Sequence, residues 1–131
     1  MILADTSLWI EFLRGTDSRA CTFVREHVGL DLAATEPVLM ELLAGSRPGA
    51  QADRVDQLLR AQSWCHIDPV LDFRGAADVF HAARSAGRQP RALTDCLIAA
   101  IALRLGITLA HRDTDYAAIA ATTGLRTIDL R

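Results

Sequence analysis

Residues 1–10 read MILADTSLWI. A short apolar run ends on Asp5, two hydroxyls follow at Thr6 and Ser7, and the apolar pattern then resumes. A carboxylate at the end of a buried strand is costly to keep charged unless something satisfies it. Two readings are open. Asp5 caps the helix that follows, since Asp is among the best N-cap residues. Alternatively it belongs to a site at the carboxyl edge of a sheet, where ligands collect in open parallel α/β folds.

Outward from that stretch, short apolar runs alternate with longer segments of helical period. The spacing predicts strands over 2–4, 31–34, 64–67, 107–110 and 127–130. Helices are predicted over 7–13, stopped by Gly15, over 18–28, and from Pro37 in a first turn to Gly45. Further helices are predicted over 52–61, over 72–85 before Gly87 and Pro90, through LTDCLIAAIALRLG at 93–106, and over 116–121. Strands separated by helical segments imply an α/β fold with a parallel sheet. At 131 residues, with no repeat or linker, the chain is expected to form a single domain over 1–131.

Composition excludes several classes of function. No apolar run reaches the ~18 residues a membrane span needs, and the opening ILA is too short for a signal-peptide core. A soluble, cytoplasmic protein without a membrane partner is therefore expected. Cys21, Cys65 and Cys96 form neither a CxxC pair nor an even disulfide set, so reduced thiols are expected. The four histidines lack HxxxH or HxH spacing, which argues against a zinc site. Net charge is −2, yet all 14 cations are arginine. Arg84, Arg88, Arg91, Arg104 and Arg112 fall in one stretch against a single acid, Asp95. Such a stretch is either a set of solvated helix faces or a phosphate-binding surface, since guanidinium recognises phosphate bidentately.

The acids carry the functional argument. Asp113 follows the strand ITLA, Asp95 opens the apolar helix, and Glu41 lies about one turn into the helix at Pro37, within VLMELLAG. Helix capping explains Asp5, Asp95 and Asp113 one by one, but not their gathering at one sheet edge, which follows if the first strand and ITLA are neighbours. Two unit charges ~4 Å apart repel by ~4 kcal/mol at an effective dielectric of 20. A cluster must therefore take up protons or bind a cation. Carboxylate oxygens without thiolate or imidazole select Mg²⁺ or Mn²⁺ over Zn²⁺. Thr6 and Ser7 stand ready to orient a carboxylate, or simply to cap the helix. Phospho-acceptor domains also gather acids around Mg²⁺, but they need a late lysine; this chain has no lysine, and Asp5 is not part of a DxD.

Four stretches, ADTSLWIEFL, EPVLMELLAG, LTDCLIAAIALRLG and LAHRDTDYAAIA, resemble in order and spacing the motifs of PIN-domain ribonucleases, and most of all the VapC toxins of bacterial toxin–antitoxin pairs. The resemblance spans nearly the whole chain. It implies a three-layer α/β/α fold around a parallel five-stranded sheet and a Mg²⁺-dependent endoribonuclease, with Mn²⁺ as substitute. It places catalytic acids at Asp5, Glu41, Asp95 and Asp113, and metal ligands at Asp5, Asp95, Asp113 and Asp115. The fourth acid is either Asp113 or Asp115, and Tyr116 stands where Phe is commoner. Thr6 and Ser7 support the first acid, while Arg84, Arg88, Arg91 and Arg112 are candidate RNA contacts. In-line attack by an activated water is expected to leave a 5′-phosphate and a 3′-hydroxyl. A homodimer restrained by a cognate VapB-like antitoxin is implied as well. The alternative is a non-catalytic PIN scaffold that docks a partner or RNA, with its acids serving as caps.

Overall fold

The apolar runs sort into five strands and seven helices in the computed structural model, which describes residues 1–131. In chain order they are β1 (Ile2–Ala4), α1 (Thr6–Arg14), α2 (Arg19–His27), β2 (Leu32–Ala34), α3 (Glu36–Ala44), α4 (Ala50–Arg60), β3 (Ser63–Trp64), α5 (Leu71–Ser85), α6 (Leu93–Leu105), β4 (Thr108–His111), α7 (Thr114–Thr122) and β5 (Thr127–Asp129). All strands are parallel and form one sheet in the order β3-β2-β1-β4-β5.

A parallel sheet is covered on both faces, so its strands read as continuous apolar runs rather than alternating ones. Leu3 and Ala4, Leu32 to Ala34, and Leu109 to His111 are accordingly all buried. The chain leaves β1 toward β2 and β3, then crosses back to β4 and β5 on the other side. Because crossovers are right-handed, opposite directions of travel put the connecting helices on opposite faces. Most contacts among helices follow that division: α1 packs on α2 and α3, and α3 on α4, while α5, α6 and α7 pack on one another; α3 also touches α6.

The register of β1 against β4 positions the site. Ile2, Leu3 and Ala4 face Thr108, Leu109 and Ala110, and the Asp5 amide donates to the Ala110 carbonyl at 2.9 Å. Asp5 and the segment after His111 therefore leave the sheet side by side, at the point where the winding reverses.

Two contacts fix the second helical layer. Gly75 on α5 lies so close to α6 that a Cβ there would come within 3.2 Å of the Ala100 Cβ. Buried Asp72 receives Arg104 Nε at 2.8 Å and Nη2 at 2.9 Å, tying the two helices together. Helix α1 ends at Gly15, whose φ of +64° lets its amide reach back to the carbonyls of Glu11 and Phe12.

The structure departs from the sequence expectation in two places. The third strand, expected over 64–67, is only Ser63–Trp64. The Cys65 amide still reaches the Ala34 carbonyl at 2.8 Å, but β2 ends there, and the Ile67 amide turns to the Glu36 carboxylate at 2.7 Å. Asp95, read as opening its helix, does not cap it: α6 starts at Leu93 after Ala92, with no side-chain cap. Its carboxylate is thus free of the local role that Asp5 and Asp113 fill.

Candidate metal centre

Each acid reaches the carboxyl edge of the sheet on a different element. Asp5 is the N-cap of α1, 4% exposed, with Oδ2 accepting the Ser7 amide at 3.0 Å and the Ser7 hydroxyl at 2.5 Å. Its other oxygen accepts the Tyr116 hydroxyl at 2.7 Å. Asp113 is the N-cap of α7, and Asp115 lies one residue inside that helix. Asp95 projects from the first turn of α6, and Glu41 from α3, where Thr6 donates to its Oε1 at 2.8 Å. Ser7 thus supports Asp5, and Thr6 supports Glu41.

Carboxylate oxygens of Asp95, Asp113 and Asp115 lie within 4.8 Å of one another. Asp5 stands just outside this trio, joined to Asp95 through the Tyr116 hydroxyl, which is 3.3 Å from Asp95 Oδ1. A phenol has one proton to donate, and the shorter distance directs it to Asp5. Burial, with Asp5 and Asp95 nearby, raises the Tyr116 pKa well above the usual phenol value, so the hydroxyl remains a donor. His111, fully buried and 4.9 Å from the Tyr116 ring, accepts the Asp113 amide on Nδ1 at 3.1 Å. That bond sets the turn from β4 into α7.

Electrostatics mark the cluster as short of positive charge. Burial first, then Asp5, Asp113, Glu41 and Asp115, push the Asp95 carboxyl up to about 7. Glu41 is also raised, by burial and then by Asp5, against the opposing effect of the Thr6 hydrogen bond. Within the trio, Asp113 and Asp115 each have one oxygen held and one without a protein donor, and Asp95, with the phenol proton committed to Asp5, has neither oxygen held. Asp95 Oδ1 faces Tyr116, Asp113 Oδ1 takes the Asp115 amide and Arg91, and Asp115 Oδ2 takes Arg91 twice. The trio offers a hard, oxygen-only donor set of the kind that suits a divalent cation. Such an ion would offset both the burial and the repulsion that raise the Asp95 pKa.

Residues 2–122 match the PIN domain family. The chain belongs to that family. Over their full lengths, this PIN domain and the ribonuclease VapC11 of Mycobacterium tuberculosis are 39% identical across 134 residues, with 100% of each chain covered. The VapC ribonuclease Mb1587 of Mycobacterium bovis is similar to the same degree, 39% over 134 residues and all of both chains. Within the PIN family the chain is therefore a VapC homologue. In fold it is similar to the DNA-bound VapBC of Salmonella typhimurium, with a TM-score of 0.75, 15% identity, and coverage of 99% of this chain and 98% of that one.

The structure brings together Asp95, Asp113 and Asp115, sets Asp5 one hydrogen bond away, and puts Glu41 within electrostatic reach of Asp5 and Asp95. The arginines divide. Arg84 and Arg88 are exposed and form no ion pair. Arg112 pairs with Glu11, and Arg91 pairs with Asp113 and Asp115. Sequence reasoning gave Tyr116 no role, although its place three residues after an N-cap aspartate aims it back at the sheet. It also missed that Arg91 belongs to the acidic cluster, for which the chain offers no local signal.

Proposed function

We propose that this VapC homologue is a Mg²⁺-dependent endoribonuclease, the toxin of a toxin–antitoxin pair, acting in the cytoplasm as a single PIN domain over residues 1–131. The convergence of Asp95, Asp113 and Asp115 beside Asp5, with Asp95 lifted to about 7 by burial and by the neighbouring acids, carries this reading. The names of its relatives, ribonuclease VapC11 and VapC ribonuclease Mb1587, supply the reaction class.

In this reading Asp5, Asp95, Asp113 and Asp115 hold the ion, Mg²⁺ or in its place Mn²⁺. When bound, the ion supplies Lewis acidity toward an attacking water and the phosphate oxygens. Asp5 is the fixed element, because Ser7 and Tyr116 occupy both its oxygens. Glu41, whose raised pKa and single hydrogen-bonded oxygen support the role, would take a proton from the attacking water. Asp113 caps α7 through Oδ1 and keeps its other oxygen without a protein donor. Arg84 and Arg88, free of ion pairs, guide the RNA backbone. A VapB-like antitoxin restrains the site, and the toxin pairs as a homodimer; solved neighbours include a VapBC assembly from Salmonella typhimurium.

The test is cleavage of RNA by the purified chain with Mg²⁺, with the new 5′ ends mapped by sequencing. Products with 5′-phosphates, and their loss by about a hundredfold or more in Asp5→Asn and Asp95→Asn, are expected. Cleavage that persists in EDTA, or in folded Asp95→Asn, overturns the catalytic reading in favour of a docking scaffold. Growth arrest on induction, relieved by a neighbouring reading frame, tests the toxin assignment.

A further inference from the structure

Arg91 stands in the loop between α5 and α6, outside every motif that marks the acids, yet it is bound to two of them. Its Nη2 donates to Asp113 Oδ1 at 2.8 Å. Its Nε and its own backbone amide both donate to Asp115 Oδ2, at 3.2 and 3.1 Å. The side chain is 71% exposed, so neither a cavity nor packing holds it there. What holds it is the charge of the cluster. Among the cations near the site, Arg112 is engaged by Glu11, which leaves Arg91 as the guanidinium paired with the acidic trio.

We propose that Arg91 is the internal counter-cation of the acidic centre. It offsets part of the charge on Asp113 and Asp115, keeps the cluster assembled when no divalent ion is bound, and lowers the affinity with which such an ion enters. This rests on the reading of the trio as a metal centre. Two effects follow from one interaction. A positive charge fixed beside two ligands repels an incoming cation, and it also supplies some of the relief that the cation would otherwise provide. Arg91 and the ion are therefore partial substitutes, and thermodynamic linkage requires that removing one strengthens the other's effect.

The experiment compares wild type, Arg91→Ala and Arg91→Lys for Mn²⁺ binding by electron paramagnetic resonance and for thermal unfolding in EDTA and in excess Mn²⁺. Arg91→Ala is expected to bind Mn²⁺ roughly threefold to tenfold more tightly than wild type, a range set by the modest strength of exposed ion pairs. It should also unfold at lower temperature in EDTA, with most of that deficit removed by Mn²⁺. Arg91→Lys, which keeps the charge but not the fork, should bind Mn²⁺ close to the wild-type affinity. Weaker Mn²⁺ binding in Arg91→Ala overturns the proposal and makes Arg91 a residue that aims the ligands. An equal loss of stability with and without Mn²⁺ overturns it in favour of a loop tether. If wild type itself binds no Mn²⁺, the metal-centre reading fails first, an outcome distinct from either.

Discussion

Asp95 sits in the first turn of α6 without capping it, and its carboxyl is lifted to about 7 by burial and by four neighbouring acids. The consequence for stability has a definite sign. As pH rises from 3.8 toward 7, the unfolded chain gives up this proton before the folded one does, so folding becomes less favourable across that window. In EDTA, the unfolding temperature is expected to fall as pH rises through this range. Asp95→Asn should flatten the fall and raise the midpoint by about 3 °C at about pH 8. An unchanged pH profile in the variant would show that the neighbours do not oppose ionisation of Asp95. Asp5 separates structure from chemistry differently, because it both caps α1 and faces the centre. Asn is as good an N-cap as Asp, whereas Ala loses about 1 kcal/mol. Calorimetry should find Asp5→Asn close to wild type in Tm and Asp5→Ala lower, with cleavage lost in both. The main acids were legible in the sequence because each stands beside a strand end or inside an apolar helix, where a charge needs a reason. Tyr116 and Arg91 were not: the tyrosine meets Asp5 across 111 residues and the arginine meets Asp113 across 22, and no local spacing encodes such pairs.

Among elements, periodicity carried the reading where segments are long and failed where they are brief. The helix through 72–85 declares itself by its Ala-rich, 3.6-residue repeat, and the one through 93–106 by being the most apolar segment of the chain. β3 spans two residues, too few to show any period, and its end is decided by where β2 stops rather than by its own side chains. The tie between α5 and α6 has a measurable weight. Removing Arg104 leaves the Asp72 carboxylate, 1% exposed, with only the Asp68 amide at 2.7 Å as donor. Breaking a buried pair in this way costs about 3 kcal/mol. Urea denaturation should show that loss in Arg104→Ala, with little change in Arg104→Ala/Asp72→Leu if the apolar pair packs. An equal loss in both would mean that packing of the arginine stem, not its charge, holds the layer.

For the whole molecule, the contrast is between a net charge of −2 and a polyanionic substrate. Binding must rely on a few local arginines rather than on a general field. With about three phosphate contacts to single-stranded RNA, affinity of the inactive Asp5→Asn variant should fall about twentyfold as KCl rises from about 50 to about 200 mM. Filter binding reads that slope directly, and a flat response would remove backbone phosphates from the account. The parallel sheet and its layers were legible because strand and helix periods alternate along nearly the whole chain. Strand order was not, since pairing of β1 with β4 joins residues about a hundred positions apart, as Ile2 with Thr108.

That pairing has a consequence for how the protein comes into being. The centre draws Asp5 and Glu41 from the first half of the chain and Asp95, Asp113 and Asp115 from the second, and the last acids arrive only after β4 has docked beside β1. A polypeptide still emerging from the ribosome therefore carries no assembled acidic cluster until the segment through Asp115 is released. Synthesis itself becomes a safety catch.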